Sequence, residues 1–220
     1  MLSLGYMPHG TGRGFPFDAL FGGRTINVLE RGFKDVGALV LWGGTDIASS
    51  YYGEKPHHNN QNMSGQPSQR DANEWKAMKY AKLNNIPIIG VCRGAQFMTV
   101  FAGGKLIQHC DSHHQSHKIH TEDGRSFESN SCHHQMMYPW DIQHHLMAWT
   151  QGLSTTYQNK AGLMHECFNH VEPEIVEYPQ IRGLAIQGHP EWMGAETPFV
   201  KYCLELAEKL LVSEKEVETV

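Results

Sequence analysis

Long apolar runs are missing from this 220-residue chain. The longest, such as residues 37–42, fall far short of the ~20 residues that a membrane helix needs, so a soluble protein is expected. Basic charge is also scarce. Lys and Arg number 18 against 23 Asp and Glu, a formal charge of -5, and no basic block offsets that balance, which argues against binding a phosphate backbone. The opening residues, Met1-Leu2-Ser3-Leu4-Gly5-Tyr6, lack the basic start and apolar core of a secretory signal. The five cysteines, Cys92, Cys110, Cys132, Cys167 and Cys203, form no C-x-x-C pair and are odd in number. That argues against a disulfide framework and for a reducing compartment. A cytoplasmic location follows as the expectation.

What is present suggests one folded unit. With 40% hydrophobic and 19% charged residues, neither extended disorder nor a coiled coil describes the chain. A length of 220 residues suits one large domain, and neither an internal repeat nor a linker-like stretch interrupts it. Residues 36–42 and 86–91 read as buried parallel strands. Between them, Asp71-Ala72-Asn73-Glu74 predicts a helix start, with the helix running to Leu83. Strand-helix-strand units of this kind build parallel sheets. Residues 93–101 read as a short helix stopped by Gly103-Gly104, and 105–108 as a strand. Residues 109–160 are polar and His-rich, and are expected to form loops and short antiparallel pieces, with a helix near 141–148. Two more strands are expected at 174–178 and 183–187, then an amphipathic helix over 198–211 and a frayed tail over 213–220.

Gly90-Val91-Cys92-Arg93-Gly94 has the spacing of a nucleophile elbow, with sulfur in place of a hydroxyl. Small neighbours permit the sharp turn, and the following helix puts Cys92 at a positive dipole end, which favours thiolate. The Arg93 amide can then stabilise an oxyanion. An ordinary buried thiol at a strand end fits the same five residues.

A thiol nucleophile needs a base and a group to orient it. In Gln187-Gly188-His189-Pro190-Glu191-Trp192, His189 and Glu191 are two residues apart and share a face in extended backbone. A solvated surface loop is the competing reading. Gly43-Gly44 closes the first central strand, and an amide there offers a second oxyanion donor at the carboxyl ends of the strands; a plain tight turn explains it equally well. The run His109, His113, His114, His117 and His120 has spacings compatible with zinc. Its apolar poverty favours a mobile, solvated segment near the pocket mouth instead, and no metal is expected there.

Together, Gly43-Gly44-Thr45-Asp46, Gly90-Val91-Cys92-Arg93-Gly94-Ala95-Gln96 and Gln187-Gly188-His189-Pro190-Glu191-Trp192 resemble the class I glutamine amidotransferase-like superfamily. Tyr52-Gly53-Glu54, Arg70-Asp71-x-x-Glu74 and Asn130-Ser131-Cys132-His133-His134-Gln135 look like its γ-glutamyl hydrolase branch, peptidase family C26. The resemblance spans about residues 36 to 200. It implies an α/β fold: a three-layer, flavodoxin-like sandwich on a mostly parallel central sheet, with no cofactor.

The same resemblance implies Cys92 as nucleophile, His189 as base and acid, and Glu191 orienting it. It further implies Gly44 and Arg93 as oxyanion donors, and Gln96 and His133 beside the substrate. The expected reaction is hydrolysis of a γ-glutamyl amide, in a conjugate or in glutamine, through a thioester. Two alternatives stay open: a glutaminase subunit feeding ammonia to a separate synthetase partner, and an inactive binding module on the same fold. Residues 1–35 are too short and too Gly-rich for the family's usual opening strand and long helix, and the 108–130 segment looks abbreviated, so an open substrate mouth is expected.

Overall fold

The computed structural model describes residues 1–158 and 170–212. Cys167 and the tail over 213–220 lie outside the described residues. In chain order the elements are β1 (Ser3–Tyr6), β2 (Thr25–Asn27), the single turn α1 (Val28–Arg31), β3 (Val36–Leu41), α2 (Gln69–Leu83), β4 (Ile88–Val91) and α3 (Arg93–Phe101). There follow β5 (Lys105–Ile107), β6 (His109–Cys110), β7 (His117–Thr121), β8 (Ser126–Ser129), β9 (Met136–Tyr138), β10 (His145–Gln151), β11 (Tyr157–Gln158), β12 (Val171–Tyr178), β13 (Gly183–Ile186) and α4 (Pro198–Val212).

A nine-stranded sheet runs in the order β2-β1-β3-β4-β13-β12-β10-β7-β8. The first five of these strands are mutually parallel. The last four join by antiparallel pairing. Alternation along β3 divides the core. Ala38 and Val40 face one side with Phe199, Tyr202, Cys203 and Leu206 of α4. Leu39 and Leu41 face the other with Ala77, Met78 and Ala81 of α2 and Phe97 and Met98 of α3. Helices thus cover both faces of a sheet whose central strands are apolar on both sides, as parallel strands require.

Several expectations need correction. Helix α2 begins at Gln69, because Ser68 is its N-cap and Asp71 completes a capping box with it. Asp71 therefore lies inside the first turn and does not start the helix. Residues 145–151 form β10 and not a helix. They are sandwiched between β12 and β7, and pairing with two neighbours overrides the helical preference of Leu146, Met147 and Ala148. The short antiparallel pieces expected in 109–160 include β7 and β8, which pair with each other and extend the main sheet. At the N-terminus an opening strand is present, and β1 pairs with both β2 and β3. In place of a long helix the chain makes a short 3-10 turn, Phe17–Phe21, and α1.

Candidate active site

Strand β4 ends at Val91, and α3 begins at Arg93. Cys92 between them has φ 51° and ψ -109°, a left-handed setting that a non-glycine residue adopts only when its surroundings hold it there. Its amide donates to the Ile186 carbonyl of β13 at 2.7 Å. Gly94 is required by close packing: a Cβ there would lie 2.3 Å from the Leu41 carbonyl oxygen of β3. The elbow is thus wedged between the two strands that flank β4.

Three residues beyond β13 lies His189. Its Nδ1 is 2.8 Å from Glu191 Oε1, and both side chains are almost fully buried. Nδ1–H donating to that carboxylate leaves Nε2 as the basic nitrogen. Asn130, at the end of β8, grips the His189 backbone twice. It donates to the carbonyl at 2.8 Å and accepts from the amide at 2.9 Å. The Trp192 ring stacks on the imidazole with centroids 3.7 Å apart. Thr11 donates to Glu191 from the N-terminal segment.

Gly43 is where the parts meet. A Cβ built on it would sit 2.7 Å from His189 Cε1 and 3.4 Å from Cys92 Cβ, so the imidazole and the thiol flank the same backbone position. Gly44 follows with φ 141°. The Arg93 amide hydrogen-bonds the Cys92 sulfur. Burial nonetheless pushes the thiol up to about 12, outweighing that amide, and the nearby Glu191 charge adds to the rise. The expectation of a resting thiolate at a helix N-terminus is therefore corrected: desolvation exceeds the dipole here.

Behind the elbow lies a buried ionic network. The Arg93 guanidinium is 2% exposed and pairs with Asp71 and Glu74 of α2. Arg70 pairs with Glu74 at 2.8 Å and donates to the Trp42 and Gly43 carbonyls. The helix α2, the elbow and the Gly43-Gly44 turn are thereby tied together. In the sequence, Arg70-Asp71-x-x-Glu74 stood as a helix start and as a motif of the resembled family branch, not as a brace; the i, i+4 Arg-Glu spacing was the available signal for this role.

Gln96 and His133 converge on the Gln135 carbonyl, each at 2.8 Å. Both are buried. Burial above all holds His133 well below the usual histidine range, so its ring is neutral. A cavity of about 460 Å³ opens over Thr45, Asp46, Gln61, Arg70 and Arg93. The Cys92, His189 and Glu191 side chains are not among its lining residues, so it does not enclose the thiol.

The histidine run is ordered, contrary to expectation. His113 is fully buried and His117 is nearly so, because β7 places them against the acidic start of β12. Burial alone would push His117 down, but the hydrogen bond and charge of Glu174 raise it.

The family model for peptidase C26 matches residues 19–151. The chain belongs to the peptidase C26 family. The match to this C26 chain includes the elbow and stops short of His189. A glutamine amidotransferase-like protein of Lactococcus lactis, YvdE, is 30% identical over 192 residues, covering 78% of this chain and 72% of its own length. Among solved structures, a glutamine amidotransferase of Thermotoga maritima is similar with a TM-score of 0.57 at 15% identity. It is covered to 85%, and this chain to 97%. The glutaminase domain of Trypanosoma brucei CTPS, solved with bound acivicin, is similar with a TM-score of 0.55 at 12% identity, covering 97% of this chain and 94% of its own. At those identities the structural likeness is one of fold: the α/β architecture of class I glutamine amidotransferases. Among the described residues of this C26 chain, no helix is long and apolar enough to cross a membrane.

Proposed function

We propose that this C26 chain hydrolyses a γ-glutamyl amide bond through a thioester on Cys92. The observation that carries the reading is the convergence on Gly43, where the Cys92 thiol and the Glu191-paired His189 imidazole flank one backbone position.

The chemistry follows from that arrangement. His189 Nε2 takes the thiol proton as sulfur attacks the γ-carbonyl carbon, and a C–S bond forms. The amides of Gly44 and Arg93 receive the developing oxyanion. Collapse breaks the C–N bond, and the imidazolium returns its proton to the departing amine. Water, deprotonated by the same nitrogen, then releases glutamate and restores the thiol. Glu191 keeps the imidazole in the required tautomer and stabilises its cation. Because burial keeps the thiol neutral at rest, proton transfer to His189 accompanies attack and does not precede it. Gln96 and His133 border the glutamyl side. The cavity over Thr45 and Asp46 leaves room for a leaving group larger than ammonia.

The test compares glutamine with several γ-glutamyl amines, using α-glutamyl compounds as controls. The reading expects turnover of the γ-glutamyl amines by the isolated chain, faster than glutamine, and none of the controls. A site built around the glutamyl α-amino and α-carboxylate groups discriminates more strongly against their loss than among leaving groups at an open mouth. Glutaminase activity that appears only with an added synthetase partner, with no conjugate turned over, would instead make the chain an ammonia-supplying subunit.

A further inference from the structure

Three side chains outside the thiol site converge on one point in the sheet. His113 precedes β7, His117 opens it, and Glu174 lies on β12; all are buried. One nitrogen from each histidine and one Glu174 oxygen lie within 4.8 Å of one another. His117 Nε2 is 2.8 Å and His113 Nδ1 3.7 Å from Glu174 Oε1.

The remaining ring nitrogens already have partners of their own. His113 Nε2 lies 2.9 Å from Glu172 Oε2, so it is the protonated nitrogen and Nδ1 presents a lone pair. That carboxylate is itself held by the Ser154 amide at 2.8 Å and by the Tyr157 hydroxyl. His117 Nδ1 lies 3.2 Å from the Gln115 carbonyl and Nε2 2.8 Å from Glu174 Oε1; both oxygens accept, so Nε2–H donates to Glu174, and a cation would take the place of that proton. Among the described residues, His113 Nδ1 and Glu174 Oε2 are buried at this point without a hydrogen-bond partner. The His113 Nδ1 lone pair, the Glu174 carboxylate and the proton that His117 holds toward it thus meet in the buried interior. A cation replacing that proton would engage both imidazole nitrogens and the carboxylate together, and would satisfy the two atoms left unpartnered.

We propose that His113, His117 and Glu174 bind a divalent zinc-class cation as a structural site. Two imidazoles and one carboxylate suit that class of metal. The Glu172-His113 pair supplies the outer-shell carboxylate that orients a ligating histidine and raises its basicity. Ion binding would pin the 111–117 turn to β12. That turn also carries the segment beside the thiol site, since the His113 carbonyl accepts from Ser131 Oγ and from the His133 amide. Asn130, next to Ser131, holds the His189 backbone.

The experiment uses the full chain, stripped of metal by a chelator and titrated with Zn²⁺. One zinc per chain should survive gel filtration, and the melting temperature should rise with zinc concentration. His117→Gln and Glu174→Gln should each weaken binding by about 10-fold or more and abolish the rise, while Cys92→Ala should bind as the wild type does. Cobalt(II) in the wild-type chain should give tetrahedral absorption without a thiolate charge-transfer band, so the proposal remains decidable if a variant does not fold. Failure of the wild type to retain stoichiometric zinc would overturn it. So would a thiolate band, or binding lost in Cys92→Ala and kept in His117→Gln.

Discussion

At the scale of single residues, the account turns on how burial sets the state of Cys92. Because burial raises this thiol to about 12, it is protonated at neutral pH and loses its proton only as pH rises toward that value. Its alkylation by iodoacetamide should therefore be slow at pH 7. The rate should climb about tenfold per pH unit and still be rising where an ordinary thiol has levelled off. Peptide mapping keeps the exposed Cys132 from masking the profile. A plateau near neutral pH would show a resting thiolate. The base and its orienting group should also separate. His189→Ala should lose nearly all activity, whereas Glu191→Gln, which keeps the neighbouring backbone contacts, should retain a measurable part. Wild-type rates in both variants would remove the pair from the mechanism.

At the scale of elements, α2 acts as a brace for the elbow. Asp71→Ala or Glu74→Ala leaves the guanidinium of Arg93 partly unpaired in the interior, which costs about 3–5 kcal/mol. Urea unfolding of either variant should show that loss, and a change within experimental error would mean that the network is not needed. Gly94→Ala should also be destabilising, since its methyl group meets the Leu41 carbonyl on a rigid strand. The central strands and the elbow were legible in the sequence because apolar runs closed by glycines are short-range signals. Likewise, His189 and Glu191 lie only two residues apart. Strand β10 was not legible, because its preference comes from β12 and β7 and not from its own residues. Nor was the burial of His113 and His117: their polar neighbours face outward from β7, while Glu172 and Glu174, far along the chain, make the interior side acceptable to imidazoles. Thr11 carried no signal at all, since its role depends on a contact with Glu191, 180 residues away.

At the scale of the whole molecule, the sheet gathers the parts. β3, β4 and β13 run parallel side by side, so the Gly43-Gly44 turn, Cys92 and the approach to His189 emerge together at the carboxyl ends of these central strands, where ligands collect in open α/β folds. The antiparallel half then carries β8 and Asn130 back to the His189 backbone. The central claim is a covalent γ-glutamyl enzyme, and the most direct measurement is to trap it. The full chain is mixed with a γ-glutamyl amine, quenched in acid during turnover and mapped by peptide mass spectrometry. The account predicts a glutamyl group on the Cys92 peptide, absent from Cys92→Ser and absent from Cys132. Turnover that proceeds with no adduct on Cys92, or that survives undiminished in Cys92→Ser, would contradict it.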